Sequence, residues 1–224
     1  MSQRYFITGT DTGVGKTVLS ALLCAALDAY YWKPIQTGTD EGTDSRTVAE
    51  LAELPEARII PEAYLFRQPV SPHLAAQWAG ERINLRNIKM PGIALGASLI
   101  VEGAGGVLVP VNEREFMVDL ICEFKLPVLL AARSTLGTIN HTLLSLAALG
   151  RAGVEVAGVV LIGERNAHNR EAIEEYGRVR VVGEIPHIEK LCRVALLDTF
   201  DKYFDKKVFL PEARSSAATA SSAT

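Results

Sequence analysis

The stretch "GTDTGVGKT" (9–17) constrains the fold of this chain more than any other, because of what flanks it. Before it, "RYFIT" (4–8) is a run of branched and aromatic residues that reads as a buried strand; after it, "TVLSALLCAALDA" (17–29) has helical periodicity. A glycine-rich turn at that junction lets Gly13 and Gly15 aim backbone N–H groups at an anion, and the helix N-terminus adds partial positive charge. The closing Gly-Lys-Thr supplies the rest of a phosphate loop. Lys16 would reach the outer phosphates of a nucleotide, and the Thr17 hydroxyl a divalent cation. Five residues, Thr10 to Val14, separate the first glycine from Gly-Lys, one more than usual. A glycine turn that merely capped a helix would need neither the lysine nor the strand before it. The stretch predicts nucleoside triphosphate binding.

The remaining chain alternates in the same rhythm. "YYWKPI" (30–35), "ASLIVEG" (97–103), "LPVLLAA" (126–132), "EVAGVVLI" (155–162) and "VRVVGEI" (179–185) read as further strands. Helices are expected over 44–54, 71–80, 116–124, 138–151 and 167–177. Near-continuous apolar strands joined by helices indicate an α/β fold: a doubly wound, mostly parallel sheet with helices on both faces. With 224 residues, 48% of them hydrophobic, residues 1–210 are expected to form a single phosphate-loop domain. Residues 211–224 are rich in Ser, Ala and Thr and are expected to be disordered. The net charge of −3 gives no reason to expect nucleic acid as a partner. No segment approaches the ~20 apolar residues of a membrane span. The N-terminus enters a strand without a signal peptide's layout, so the expected location is cytoplasmic. Cys24, Cys122 and Cys192 lie far apart in apolar segments, without metal-binding spacing, and read as small buried hydrophobes.

A phosphate-loop protein that does chemistry needs an acidic residue at a neighbouring strand end to hold Mg²⁺. "LIVEGAGG" (99–106) offers Glu102, followed by Gly103, Gly105 and Gly106, which let backbone run close to a ligand. A bland alternative makes Glu102 the ion-pair partner of Lys16 or Lys33. The polar loop "TGTDEGTDS" (37–45) offers a second carboxylate, Asp44 or Asp40; Asp44 also suits the start of a helix.

Together these stretches resemble the dethiobiotin synthetases of biotin biosynthesis. The resemblance is carried by "GTDTGVGKT" (9–17), "KPIQTG" (33–38), "PVSPH" (69–73), "VEGAGG" (101–106) and "LGTINHT" (136–142), in that order, with "GEIP" (183–186) as a weaker sixth point. It implies that 7,8-diaminononanoate takes up CO₂ or bicarbonate as a carbamate, which attacks the γ-phosphate of ATP with Mg²⁺ present. The second amine then displaces phosphate from the carbamic–phosphoric anhydride and closes the cyclic urea. Such a site must neutralise several anions at once, a task for fixed cations, metal and backbone amides.

Carried over by position, the resemblance makes Lys16, Lys33 and Thr12 catalytic and Thr17, Asp44 and Glu102 the metal residues. Nucleotide contacts are expected from Gly13, Val14, Gly15, Lys16, Thr17 and Val18, from Glu102, Gly103, Ala104 and Gly105, and from Pro186, His187 and Ile188. Thr37 is expected to touch the diamine. Gly137, Thr138, Ile139 and Asn140, at a helix start, are expected to receive the substrate's far carboxylate across a homodimer interface. His141 and His73 read as structural, and His168 and His187 carry no assignment.

The chain departs from the family pattern in three places. Family members often carry an Asn after the strand read as 155–162, to recognise adenine; here Ile162, Gly163 and Glu164 stand there, with Asn166 further on. The connection "LDAYYWKP" between first helix and second strand is unusually short. The segment from 190 onward reads as a terminal amphipathic helix with no site residue. Two rival classes share the fold. Switch-type ATPases that position chromosomes and septa carry a lysine where this chain has Asp11. Cobyrinate-type amidation enzymes need a glutaminase domain for which 224 residues leave no room.

Overall fold

The structure, a computed structural model, describes residues 3–210, Glu41 by its backbone only. The expected Ser/Ala/Thr tail over 211–224 lies outside the described residues. Seven strands form one wholly parallel sheet: β1 (Arg4–Gly9), β2 (Tyr30–Trp32), β4 (Ile59–Ile60), β6 (Leu99–Gly106), β7 (Val128–Arg133), β8 (Val156–Ile162) and β9 (Val181–Ile185), in the order β4-β2-β6-β1-β7-β8-β9.

Alternation along the strands sends successive side chains to two cores. Phe6, Trp32, Leu99 and Val101 meet residues of α3 (Pro72–Trp78), α4 (Met117–Phe124), α5 (Thr138–Arg151) and α6 (Ala167–Gly177) on one face. Tyr5, Ile7, Tyr31 and Ile100 meet α1 (Lys16–Leu27), α2 (Asp44–Ala52), α7 (Arg193–Tyr203) and α8 (Lys206–Phe209) on the other. The sheet is therefore doubly wound, as expected. The terminal segment is fixed by its aromatics. Phe209 packs on Tyr5, Phe200 and Phe204, and the Tyr5 hydroxyl donates to the Val208 carbonyl at 3.0 Å.

The expected strand over 30–35 is cut short. Main-sheet pairing stops at Trp32, because Pro34 has no N–H to give a ladder. Its carbonyl instead accepts from the Ala63 and Tyr64 amides. The chain then starts a separate small sheet, β3 (Ile35–Thr37) parallel to β5 (Tyr64–Phe66). The short connection after the first helix is a two-residue turn in which Asp28 adopts a left-handed conformation (φ 50°) and the Ala29 amide closes onto the Cys24 carbonyl.

From β1 the chain moves to β2 on one side, and after β6 it crosses to β7 on the other side of β1. Ligands of open parallel sheets bind at such a reversal, beyond the carboxyl ends of the strands. The phosphate loop leaves β1 at this point. Register sets Glu102 opposite Ile7 and Gly106 opposite Gly9, which brings both glycine-rich turns to the same edge.

Candidate active site

A cavity of about 370 Å³ opens at this edge, lined by Thr12, Gly13 and Gly15 to Val18 of the loop, by Lys33, Gln36, Thr37 and Asp44, and by Glu102, Ala104 and Gly105. Gly15 starts the helix in a left-handed conformation (φ 99°), and a Cβ there would approach Ile162 Cδ1 to 2.9 Å. Only glycine satisfies both demands, so the loop rests directly on the end of β8. No side chain caps α1 and no acidic residue stands in its first turn, so its leading N–H groups have no competitor for an incoming anion.

Three chain segments deliver charge to the cavity. Glu102, fully buried on β6, faces the carboxylate of Asp44 at the start of α2, and the Lys33 ammonium sits between them. Lys33 Nζ lies 3.1 Å from Glu102 Oε1 and pairs more closely still with Asp44. The Thr17 hydroxyl reaches Asp44 Oδ1 at 2.7 Å and Glu102 Oε1 at 3.1 Å. Asp44 is oriented from behind: its amide donates to Gln36 Oε1 at 3.0 Å, while Gln36 Nε2 donates to the Thr37 carbonyl at 2.7 Å. The helix is capped by Thr43, which frees the Asp44 carboxylate for the cavity. Asp40 points elsewhere, to an exposed pair with Arg67.

Electrostatics follow from this packing. Burial opposes the charged form of Lys33, but the Glu102 and Asp44 carboxylates outweigh it and hold its pKa above the ordinary lysine value. Burial likewise works against the Asp44 carboxylate, and Lys33 with the Thr17 hydroxyl overcomes it, so its pKa lies below the ordinary one. Lys16 differs. Burial lowers its pKa, and its ammonium donates only to the Asp11 carbonyl, at 3.0 Å. Among the described residues no carboxylate pairs with Lys16, which leaves it available to a ligand's negative charge. Asp11 itself is held at the loop's outer side, its Oδ2 accepting from Arg133 at 2.9 Å and its Oδ1 from the Thr12 amide at 2.7 Å.

The donor set suits a hard divalent cation. Two carboxylates and a hydroxyl converge, and a lysine ammonium already occupies the place between the carboxylates. Among the described residues no group of three or more His, Cys, Asp or Glu could close a cage around an ion. Mg²⁺ that shares its shell with phosphates is usually held by one or two carboxylates, and two stand here. The bland alternative for Glu102 also holds: it is the partner of Lys33.

Two residues at this site went unnoticed in the sequence. Ser20 Oγ and the Tyr31 hydroxyl both donate to Glu102 Oε2, at 2.6 and 3.0 Å. Burial, with Glu102 beside it, pushes the Tyr31 pKa well above the ordinary value, which keeps the phenol a donor. The signal was present: a hydroxyl in a fully apolar strand must find a partner, and Ser20 lies three residues beyond Thr17 on the same helix face.

Other expected site residues stand apart from the cavity. Val14 is core, and Gly103 faces the Phe6 ring and Met117 rather than the cavity. Gly137 caps α5; Thr138 is buried against Thr142, Ile139 packs on the core, and Asn140 is exposed. Pro186, His187 and Ile188 follow β9, with His187 exposed. Ile162 lies against Gly15, Gly163 N donates to the Ile185 carbonyl, and Asn166 caps α6 by accepting from Asn169 N. His141 and His168 are exposed, and His73 pairs with Ser71 at 3.0 Å.

Comparison with known proteins agrees with this geometry. A family profile described as "AAA domain" matches residues 3–195. The chain is 47% identical over 210 residues to the ATP-dependent dethiobiotin synthetase BioD of Nitrobacter hamburgensis, spanning 94% of this chain and 98% of that one. It is 46% identical to the protein of the same name from Agrobacterium fabrum, over 94% and 98% of the two chains. Among solved structures it resembles a ParA family ATPase from Chlorobium tepidum (TM-score 0.53, 12% identity, 93% of this chain and 96% of that one). It also resembles the septum site-determining protein MinD of Pyrococcus horikoshii (TM-score 0.50, 14% identity, 95% and 90%). At such identities the structural likeness speaks for the phosphate-loop fold alone. The sequence relatives say more: matched at this identity along nearly their whole length, they make the chain a member of the dethiobiotin synthetase family.

Proposed function

We propose that the protein is the ATP-dependent ligase its family membership indicates, converting 7,8-diaminononanoate, CO₂ and ATP to dethiobiotin, ADP and phosphate. The observation that carries this reading is the buried Lys33, held between Asp44 and Glu102 on the wall of the same cavity as the unpaired Lys16. The phosphate loop and Lys16 bind the triphosphate. Thr17, Asp44 and Glu102 would hold Mg²⁺, which supplies charge neutralisation to the phosphates. Lys33 steadies the carbamate formed when one amine adds to CO₂ and loses a proton. The carbamate oxygen attacks the γ-phosphorus and ADP leaves, its charge met by Lys16. The second amine then attacks the carbonyl carbon, phosphate departs with the C–O bond pair, the new ring nitrogen loses a proton to the departing phosphate or solvent, and the ring closes. Thr12 and Thr37, on the cavity wall, are positioned to contact the γ-phosphate side and the diamine.

The far carboxylate is assigned to Gly137–Asn140 of a second copy in a homodimer. Leu136, Leu108 and Leu144 support this reading, since all three are exposed. Leu108 and Leu144 also line an apolar groove of about 240 Å³ that runs past Thr10 and Asp11 of the phosphate loop. Among the described residues no helix is long and apolar enough to cross a membrane.

Phosphate release from Mg²⁺–ATP, with and without diaminononanoate and bicarbonate, tests the function. The expected result is release that requires both. Release indifferent to the diamine would overturn the ligase reading and leave a switch-type ATPase. Repeating the assay with CTP and GTP measures base recognition. With Ile162 and Gly163 at the end of β8, the expected spread in kcat/KM is within about tenfold, the worth of one net hydrogen bond.

A further inference from the structure

Glu102 has two carboxylate oxygens, and they face different surroundings. Oε1 is turned to Thr17 and Lys33, both on the cavity wall. Oε2 is turned inward, where it accepts from Ser20 Oγ at 2.6 Å and from the Tyr31 hydroxyl at 3.0 Å. Ser20 and Glu102 are fully buried, as is Tyr31, so water cannot take over either bond. A carboxylate oxygen has two lone-pair directions, and here both are filled by the fold. The clamp is rigid on both sides. Tyr31 lies on β2, in register with Ile100 of the strand that carries Glu102. Ser20 lies on α1, where a serine ordinarily turns back to its own helix carbonyl; here it donates across to the sheet instead.

We propose that Tyr31 and Ser20 set the cation selectivity of this site. By holding Oε2 inward they leave Glu102 only Oε1 to offer the cavity, where it accepts from Thr17 and Lys33. The inference rests on the reading above that Thr17, Asp44 and Glu102 hold a divalent cation. Ca²⁺ gathers about 6–8 oxygens and gains them readily from a carboxylate that offers both. Mg²⁺ is smaller, near-octahedral, and takes one oxygen per carboxylate. A Glu102 that can turn only Oε1 to a cation therefore disfavours Ca²⁺ more than Mg²⁺. Tyr31 and Ser20 are positioning residues, acting through Glu102.

The test is competition of Mg²⁺ and Ca²⁺ against Mn²⁺, followed by electron paramagnetic resonance on the full chain with ADP bound. It compares wild type with Tyr31→Phe, Ser20→Ala and Glu102→Gln. Removing one of the two donors to Oε2 in Tyr31→Phe is expected to shift the Ca²⁺-to-Mg²⁺ affinity ratio toward Ca²⁺ by about tenfold, the scale of a lost outer-shell partner. Ser20→Ala is expected to move it the same way, and Ser20→Thr, which keeps a hydroxyl, to restore it. A loss of packing alone would lower thermal stability without moving this ratio. Should Tyr31→Phe fail to fold, Ser20→Ala, the smaller change, decides. Glu102→Gln separates the two levels of the argument. If it leaves Mn²⁺ affinity unchanged, Glu102 does not serve the metal, and both the metal reading and this inference fall. If it weakens Mn²⁺ while the Tyr31 and Ser20 variants keep the wild-type ratio, the selectivity inference alone is overturned.

Discussion

The phosphate-loop cavity and the apolar face around Leu108, Leu136 and Leu144 are built differently. At the phosphate end, α1, β2 with the residue after it, the first turn of α2, and β6 each contribute a side chain, and the charges are already knit together: Lys33 to Asp44 and Glu102, Thr17 to both carboxylates, Glu102 to Ser20 and Tyr31. At the far end the surface is apolar and open, with Leu136, Leu108 and Leu144 exposed and the Gly137–Asn140 turn outside the main cavity. The charged cluster is assembled within one chain; the apolar surface is what the proposed homodimer would cover. The difference teaches where the cost of organisation is met. Charge placement for anionic chemistry is prepaid in folding, because buried charges must be paired and oriented at once. Recognition of an extended substrate can wait for a second surface.

The sharpest way to break this comparison is at its tightest point. Lys33→Ala, assayed with Mg²⁺ present so that Asp44 and Glu102 keep a cation, is expected to lower turnover by about 10³-fold, the scale of a lost transition-state charge contact. Nucleotide affinity should stay close to wild type, since the phosphate loop and Lys16 are untouched. Single-turnover phosphate release and nucleotide titration separate the two. Normal turnover in the variant would mean that Lys33 is a structural counter-ion only.

A smaller effect is expected at the open end. Leu144→Glu places a charge on the apolar groove beside the phosphate loop, which none of Lys33, Thr17, Asp44 and Glu102 lines. It is expected to shift the protein toward monomer in sedimentation and to reduce kcat/KM for the diamine by about a hundredfold, as misplacement of a substrate group does. ATP binding should be retained. A monomeric variant with full turnover would show that the far end is complete within one chain, and the contrast between the two ends would dissolve.

The same contrast explains what was legible in the sequence. The seven main-sheet positions, save the brief β4, and the phosphate-loop residues announce themselves by apolar runs and glycine spacing, which are local patterns. Lys33 came from the resemblance of "KPIQTG" (33–38) alone, whereas Glu102 was readable because a charge stands between an apolar strand and a glycine turn. Asp44 and Asp40 could not be told apart by spacing; the fold decides, through the Gln36 side chain that receives the Asp44 amide. Ser20 and Tyr31 were hidden because they look like ordinary members of an apolar helix and strand. Their role exists only once β2 pairs with β6 and α1 lies across both. The strands Ile59–Ile60 and Tyr64–Phe66 are too short for any period-2 signal to rise above chance. Lys16 shows a further limit: the motif locates it, but its lack of a carboxylate partner is a fact of three dimensions.

The smallest expected effect is a matter of pH, and it probes how much of the phosphate end is assembled before any ligand arrives. Folding lowers the Asp44 pKa, because Lys33 and the Thr17 hydroxyl favour the carboxylate more than burial opposes it. A group whose pKa is depressed on folding stabilises the folded state when ionised. Its contribution is complete above the unfolded aspartate value of about 3.9 and is lost as pH falls through the lower folded value. In metal-free, nucleotide-free buffer, wild type should therefore melt above Asp44→Asn near neutral pH. The gap should hold constant down to about pH 5 and close below about pH 4. Lys33 cannot mimic this, since its raised pKa contributes below the ordinary lysine value and is lost only as pH rises through the higher folded one. A gap that stays open at low pH would mean that the Asp44→Asn substitution disturbs packing rather than charge. No gap at neutral pH would mean that the Lys33–Asp44 pair forms only once a ligand is bound, and that the phosphate end is assembled late, like the far one.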